Sequence, residues 1–363
     1  MDAAFDIVIV GAGMAGASLA AAIGERGDAR ILLVEAEERP GHHATGRSAA
    51  FWTESYGGPG VQPLTTASGP VLRDLGVLTP RGALTIGRAG QEDDVAAFAA
   101  RYRAVGVEIE LLDRAGLEAR VPNLRADWTS GAFEPSTCDI DVAALHQHYL
   151  AQAHRQGAQL WCRAGLLGAE RTASGWMLAL ADGRRVAAGV LVNAAGAWAD
   201  AVARLAGLGP LGIAAYRRTV AQIAVDGPVP GDLPLVLDVA GRFYFKPESG
   251  RLWLSPHDET PSAPCDAAPE EIDVALAVDR FEQVVDWPVR RVEHRWAGLR
   301  SFAPDRLPVY GFAPQDAAFF WFAGQGGFGI QTAPAAADLA ARLLTRAGPG
   351  AVDPAAYAPA RFT

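Results

Sequence analysis

The segment from Phe5 to Glu35 constrains this chain more than any other. Phe5-Asp6-Ile7-Val8-Ile9-Val10 is a β-branched run of the kind found in strands buried on both faces. Gly11-Ala12-Gly13-Met14-Ala15-Gly16 follows directly, and Ala17 to Arg26 reads as a helix rich in Ala and Leu. Arg30 to Val34 is a second buried strand, closed by Glu35. Strand, GxGxxG, helix, strand and acid in this order form a βαβ unit for a dinucleotide. Gly11 permits the tight turn out of the strand, Gly13 lets the backbone approach a pyrophosphate, and Gly16 lets helix and strand pack closely. Met14 and Ala15 open the helix, whose N–H groups and dipole favour phosphate. Glu35 accepts hydrogen bonds from both hydroxyls of an adenosine ribose. Its charge also repels a 2′-phosphate, which argues against NADP.

This fingerprint fits NAD and FAD alike, so the rest of the chain must separate them. Arg39 to Ala50 reads RPGHHATGRSAA, a loop of small residues whose amides suit a flat ligand; its plain alternative is a surface loop. Val190 to Asn193 is a buried strand that runs into Ala194-Ala195-Gly196-Ala197-Trp198, where a helix begins. Phe319 to Phe322 is an aromatic strand, followed by a glycine-rich turn from Gly324 to Thr332 and an Ala-rich helix from Ala335 to Leu344. The start of that helix suits the pyrimidine end of a flavin, where reduction places negative charge. Three glycine-rich strand ends far apart in sequence call for a long ligand. FAD is long enough to touch all three.

Composition narrows the class. The chain has 363 residues, 50% hydrophobic and 20% charged, which excludes a disordered chain or a disulfide-stapled miniprotein. A net charge of −9 argues against duplex nucleic acid as a bulk partner, since phosphate neutralisation needs a basic face. Cys138, Cys162 and Cys265 have no metal-binding spacing, so no metal site is expected. Their odd count fits a reducing compartment. Met1 to Asp6 carries acids and no base, unlike a signal peptide, and no apolar run is long enough to span a membrane. A cytoplasmic protein is expected.

The stretches GAGMAGAS (Gly11 to Ser18), TGRSAA (Thr45 to Ala50), DIDVAALHQHYL (Asp139 to Leu150), VLVNAAGAW (Val190 to Trp198), RWAGLRSF (Arg295 to Phe302) and GQGGFGIQT (Gly324 to Thr332) appear in order along nearly the whole chain. Together they resemble the FAD-dependent amine oxidoreductases of the D-amino-acid oxidase superfamily, and among them the bacterial D-amino-acid dehydrogenases of the D-arginine type. The resemblance implies an α/β fold: a Rossmann-like FAD-binding domain from 1–80, 141–211 and 298–363, interleaved with a substrate domain from 81–140 and 212–297 built on an antiparallel sheet. Short strand-like runs at Ala83–Gly87, Val220–Val225, Phe243–Lys246 and Leu252–Ser255 agree with it, as do helical stretches at Gln91–Val105 and Pro269–Val285. Asp141 is expected to cap the helix through Leu150, and the Ala/Pro-rich tail from Gly348 to be loosely held. Cofactor contacts are implied at Gly11, Gly13, Met14, Ala15, Gly16, Glu35, Thr45, Gly46, Arg47, Ser48, Ala49, Ala50, Leu166, Ala195, Gly196, Trp198, Gly326, Gly327, Phe328, Gly329, Ile330 and Gln331. His42 and His43 sit on no attachment motif, so noncovalent FAD is expected.

The resemblance also implies a substrate site. An α-amino acid brings a carboxylate, and arginine binds a carboxylate bidentately. Arg300 and Arg218 match the carboxylate ligands, although Arg217 leaves open which of the adjacent pair points inward. Tyr56 and Tyr244 match the tyrosines that bond the same group. The Gly327 carbonyl matches the acceptor for the amine, with Gln331 nearby. With that amine neutral, the α-hydrogen leaves as hydride to flavin N5, and the imino acid hydrolyses to a 2-keto acid and ammonia. No catalytic base is required, because positioning carries the chemistry. Dioxygen or a quinone- or dye-type carrier would take the electrons.

Two departures bear on the substrate. Ala83 stands where the D-arginine-type enzymes carry an acid for the guanidinium, and Phe51 replaces a histidine near the amine. With Trp52 and Thr53 following, the pocket reads as aromatic, and neutral or apolar D-amino acids are expected over D-Arg. An acid reaching in from elsewhere, such as Glu54, is the alternative. Oxidation of sarcosine or other N-substituted amino acids, or of 2-hydroxy acids, needs the same carboxylate clamp. A tRNA-modifying flavoprotein fits the negative charge poorly.

Overall fold

The computed structural model describes residues 3–362. The outermost positions of the expected FAD-binding domain, 1–2 and 363, lie outside the described residues. The strand Ala3–Val10 lies at the centre of an 8-stranded sheet, paired in parallel with Ile31–Val34 on one side and Arg185–Asn193 on the other. Gln159–Trp161 extends the sheet beyond Ile31–Val34, and Asp316–Ala323 runs parallel to the end of Arg185–Asn193. The register pairs Val10 with Asn193, and Asn193 with Trp321. The three strands that lead into glycine-rich turns therefore end side by side. In an open α/β sheet this edge is where ligands bind.

Helices Met14–Gly24, Val142–Arg155 and Ala333–Thr345 pack on one face of this sheet around Ile9, Leu33, Leu145 and Phe320. The Asp141 carboxylate caps the second of them, accepting from the Ala144 amide at 2.9 Å. The antiparallel strands Gly175–Leu180 and Leu166–Thr172 continue the sheet beyond Arg185–Asn193, and helix Ala199–Leu205 packs with them in the core of the other face. This is the Rossmann-like α/β arrangement expected from the first thirty-odd residues.

A 10-stranded sheet forms the second layer and is mostly antiparallel, with Leu235–Asp238 and Ala83–Arg88 as a parallel pair inside it. Its long strands Ala214–Val225 and Val289–Phe302 pair along their whole lengths. The second of these runs without a break through residue 298, and its Ser301–Phe302 end takes Gln325–Gly326 as a further partner. A 3-stranded sheet of Phe51–Trp52, Cys138–Ile140 and Leu78–Pro80 joins the layers. At this joint Asp139 binds both Arg81 at 2.8 Å and Lys246 at 2.6 Å.

The C-terminal tail is docked rather than loosely held. Tyr357 is buried, and its hydroxyl donates to the Gly60 carbonyl at 2.9 Å. Arg361 bonds the Asp305 carboxylate and the carbonyls of Leu307 and Pro308. One buried ring and one multiply bonded guanidinium outweigh the disorder that Ala and Pro composition suggests. No helix among the described residues is long and apolar enough to cross a membrane.

Candidate active site

A cavity of about 390 Å³ opens where the glycine turns meet. Gly11 (φ +98°) lies so close to the second turn that a Cβ there would stand 2.6 Å from the Ala194 oxygen. A Cβ on Gly16 would lie 1.9 Å from the Gly11 oxygen, so Gly16 acts by close helix–strand packing and does not line the cavity. Gly13, Met14 and Ala15 do line it. The Ala12 peptide between them is held at both ends. Its N–H donates to Glu35 Oε2 at 2.9 Å, and its carbonyl accepts from His146 Nε2 at 2.9 Å. His146 is part of the DIDVAALHQHYL stretch, yet only the folded chain shows this role. Burial pushes its pKa down, which keeps the ring neutral.

Glu35 Oε1 accepts the Glu37 amide at 3.0 Å, which aims the carboxylate at the cavity. Thr45 Oγ1 accepts the Met14 amide at 2.9 Å. Asn193 shapes the second turn, donating to the Ala199 carbonyl at 2.7 Å while its oxygen accepts the Ala195 amide at 3.3 Å. Ala195, Gly196, Trp198 and Leu166 line the cavity, as do Arg47, Ser48, Gly326, Gly327, Gly329 and Ile330. The helix that follows the third turn is set back, because its Ala335 amide donates to Ser68 Oγ at 3.2 Å. Gly46 and Ala49 also stand behind the wall. The Gly46 N–H donates to the Gly41 carbonyl at 2.8 Å, and Ala49 packs with Ala83 and Tyr244. The Ala50 carbonyl accepts the Ile140 amide, and Phe328 packs on Phe302 and Val61.

At the other end of the cavity stands Arg300. It is buried, lines the wall, and donates Nη2 to the Arg47 carbonyl at 3.0 Å. It has no carboxylate partner among the described residues. Burial pulls its pKa down, and the nearby Arg218 adds to this. Gly298 makes the arrangement possible, since a Cβ there would lie 2.8 Å from Arg300 Nη1. Arg47 ties the same corner together, donating to the carbonyls of Ala267 and Ala297 and pairing with Asp266.

Of the adjacent pair, Arg218 points inward. Its Nε donates to the Asp258 carbonyl at 2.7 Å, Nη1 to Tyr56 Oη at 3.2 Å and Nη2 to Glu259 at 3.1 Å. Arg217 points away, to Glu270 and Asp273. Phe51 stands edge-on to Tyr56 and Tyr244, with ring centroids at 5.1 and 5.7 Å. Ala83 packs beside Tyr244. Gly327 completes the corner, because a Cβ there would lie 3.3 Å from Tyr56 Oη.

Three expected residues lie elsewhere. Trp52 faces the core, because strand alternation turns it opposite to Phe51, and its indole donates to the Thr65 carbonyl at 3.1 Å. Thr53 is buried against Thr137, whose hydroxyl donates to it at 2.8 Å. Gln331 is a brace: its amide donates to the Tyr56 carbonyl and Thr65 Oγ1, and its oxygen accepts the Thr53 amide at 3.4 Å. It holds the Tyr56 loop from behind.

Sequence reasoning missed His257, Asp258 and Glu259, a run that follows the strand Arg251–Ser255 and closes around Arg218. No motif announces it. Glu134 was missed too. It is buried, sits opposite Ala83 in the sheet, and accepts the Glu54 and Ser55 amides at 2.7 and 3.3 Å. Burial pushes its pKa up.

A family model described as FAD dependent oxidoreductase (DAO) matches residues 6–343. The chain belongs to this family. The HcnC subunit of hydrogen cyanide synthase from Pseudomonas aeruginosa is 25% identical, over 95% of this chain and 93% of its own length. Three other curated relatives are matched over only 37%, 46% and 65% of their own lengths. The crystal structure of L-proline dehydrogenase from P. horikoshii superposes with a TM-score of 0.87, covering 100% of this chain and 98% of that one at 20% identity. Glycine oxidase from Geobacillus kaustophilus gives 0.84, with 98% of each chain covered at 23% identity. At these identities the structural likeness speaks for the fold. FAD is the cofactor of this DAO-family chain, and the residues present fit it. Glu35 lines the cavity with a carboxylate that suits a ribose, Gly11 and Gly16 stand where a Cβ would meet backbone oxygen, and Arg300 lines the wall with Arg218, Tyr244 and Tyr56 near it.

Proposed function

We propose that the protein oxidises the Cα–N bond of an amino acid, with neutral or apolar D-amino acids as the preferred substrates. The observation that carries this reading is Arg300: a buried guanidinium with no carboxylate partner among the described residues, beside Arg218, Tyr244 and Gly327. A buried, unpaired charge is destabilising by several kcal/mol in rough terms, and an anionic ligand removes that penalty. A substrate carboxylate fits both guanidiniums. FAD, which the glycine cradle and Glu35 would hold without a covalent link, would supply a two-electron acceptor for the α-hydrogen. Arg300 and Arg218 fix the carboxylate, the Gly327 carbonyl holds the amine, and Phe51 and Tyr244 wall the side chain. Positioning the α-carbon is then the main catalytic contribution of the protein.

The preference for uncharged side chains rests on Ala83 and on the engagement of nearby acids. The Glu134 carboxylate accepts from Glu54, Ser55 and Ser136. Glu54 is held by Thr66 and Ser136. Both carboxylates are held in place by these donors. The two-lobed division, with the first sheet for FAD and the second for substrate, belongs to the same proposal.

Anaerobic bleaching of the bound flavin tests it, with D-amino acids, L-amino acids, sarcosine and 2-hydroxy acids added separately. Bleaching by D-Leu, D-Met or D-Phe ahead of D-Arg is expected. Bleaching by sarcosine, an L-amino acid or a hydroxy acid alone would overturn the substrate assignment. Readmitting air separates dioxygen from a carrier as the electron acceptor. Acid precipitation should leave the flavin in solution.

A further inference from the structure

His257 stands at the turn after the strand Arg251–Ser255, with φ +54°, in contact with both active-site tyrosines. Its Nδ1 lies 2.6 Å from the Gly241 carbonyl oxygen and its Nε2 3.2 Å from Tyr56 Oη. A carbonyl oxygen only accepts, so the ring proton sits on Nδ1 and Nε2 carries a lone pair. Burial, reinforced by Arg218, Arg306 and Arg280, pushes the imidazole pKa down to about 3, so no second proton is present near neutral pH. The Tyr56 hydroxyl must therefore donate to His257. The same oxygen already accepts from Arg218 Nη1 at 3.2 Å. What remains on Tyr56 is one lone pair.

A carboxylate only accepts, and cannot bond a phenol whose proton is already directed elsewhere. An amine N–H can donate to it. Tyr56 Oη shares its corner with Gly327, the assigned amine acceptor. We propose that His257 is a positioning residue that fixes Tyr56 as a hydrogen-bond acceptor for the substrate amine, leaving the carboxylate to Arg300, Arg218 and Tyr244. This rests on the reading that the substrate is an amino acid, and it corrects the carboxylate role that family resemblance implies for Tyr56.

The test uses the FAD-loaded enzyme and two ligands: benzoate, which has a carboxylate and no amine, and the amino acid that bleaches the flavin fastest. Benzoate affinity is read from the flavin absorbance shift, and amino-acid affinity from the concentration dependence of anaerobic bleaching. In Tyr56→Phe, benzoate affinity should stay within about twofold while amino-acid affinity falls about tenfold. In His257→Phe the two should move in opposite directions. The freed Tyr56 proton reaches the carboxylate, so benzoate tightens several-fold while the amino acid weakens. His257→Gln, whose side-chain oxygen accepts from Tyr56, should restore the wild-type pattern. If Tyr56→Phe weakens benzoate as much as the amino acid, or if both ligands weaken together in His257→Phe, the inference is wrong although the functional reading stands. If no amino acid bleaches the wild-type flavin, the functional reading fails and this inference falls with it.

Discussion

Arg300 is buried against carbonyl oxygens, without the carboxylate that a guanidinium in such a place usually has. Function and stability therefore pull apart at this residue. Arg300→Met should lower kcat/KM roughly 100-fold, the range for losing a charged hydrogen-bonding partner. The same change should leave the melting temperature of the substrate-free enzyme equal or raised, because an uncompensated buried charge is removed. A scanning calorimetry trace that showed a large loss would mean Arg300 has a structural partner. His257 makes a second prediction. Its pKa is depressed in the folded chain to about 3, whereas the unfolded chain binds the proton near 6.5. Its contribution to stability is present above the unfolded value and is lost as pH falls from there toward 3. At pH 5 the loss is roughly 1–2 kcal/mol. Denaturant midpoints for His257→Gln should accordingly fall less between pH 7 and pH 5 than those of the wild type.

Among elements, the glycine turn after Ala3–Val10 sets the tightest limits. Gly16→Ala would place a Cβ 1.9 Å from the Gly11 carbonyl, which cannot move without opening the turn that lies on the Ala194 backbone. The variant should purify with little flavin and lose about 2 kcal/mol or more of stability. A normal ratio of flavin to protein absorbance would contradict this. The unit was legible in the sequence because its determinants are local: a β-branched run, fixed glycines, a short helix and an acid. Strands of the second layer were less legible. Val220–Val225 was visible as an apolar run, but the strand begins at Ala214 and carries Arg217 and Arg218 on opposite faces. Composition does not say which arginine a sheet turns inward. The Gly324–Thr332 turn was legible as a ligand-facing loop, yet Gln331 turned out to brace Tyr56, a role that depends on Thr53 and Thr65 from a distant segment. His257 likewise reaches Tyr56 from 201 positions away, and no local pattern encodes that meeting.

At the scale of the whole molecule, the tail couples the two ends of the chain. Tyr357 is buried against Tyr310 and bonds Gly60, in the loop that carries Tyr56. Tyr357→Ala should cost roughly 3 kcal/mol by cavity formation. Truncation after Ala347 should do at least as much and also raise KM, since the Tyr56 loop loses its backing. Chemical denaturation and steady-state kinetics on the two variants check this, and an unchanged midpoint would show the docking to be energetically idle. Arg47 links the parts more directly. It lines the cavity, its carbonyl receives Arg300, and its guanidinium grips Ala297 of the second layer and Asp266 and Ala267 of the loop beside it. One residue thus touches both regions, and each ligand is expected to feel the other through it. Reciprocity then requires that benzoate raise the affinity of the protein for FAD by the factor by which FAD raises its affinity for benzoate. A fluorescence titration of flavin release on dilution, with and without benzoate, would read that shared factor directly, and Arg47→Ala, which removes the guanidinium grip and keeps the carbonyl, should lower it.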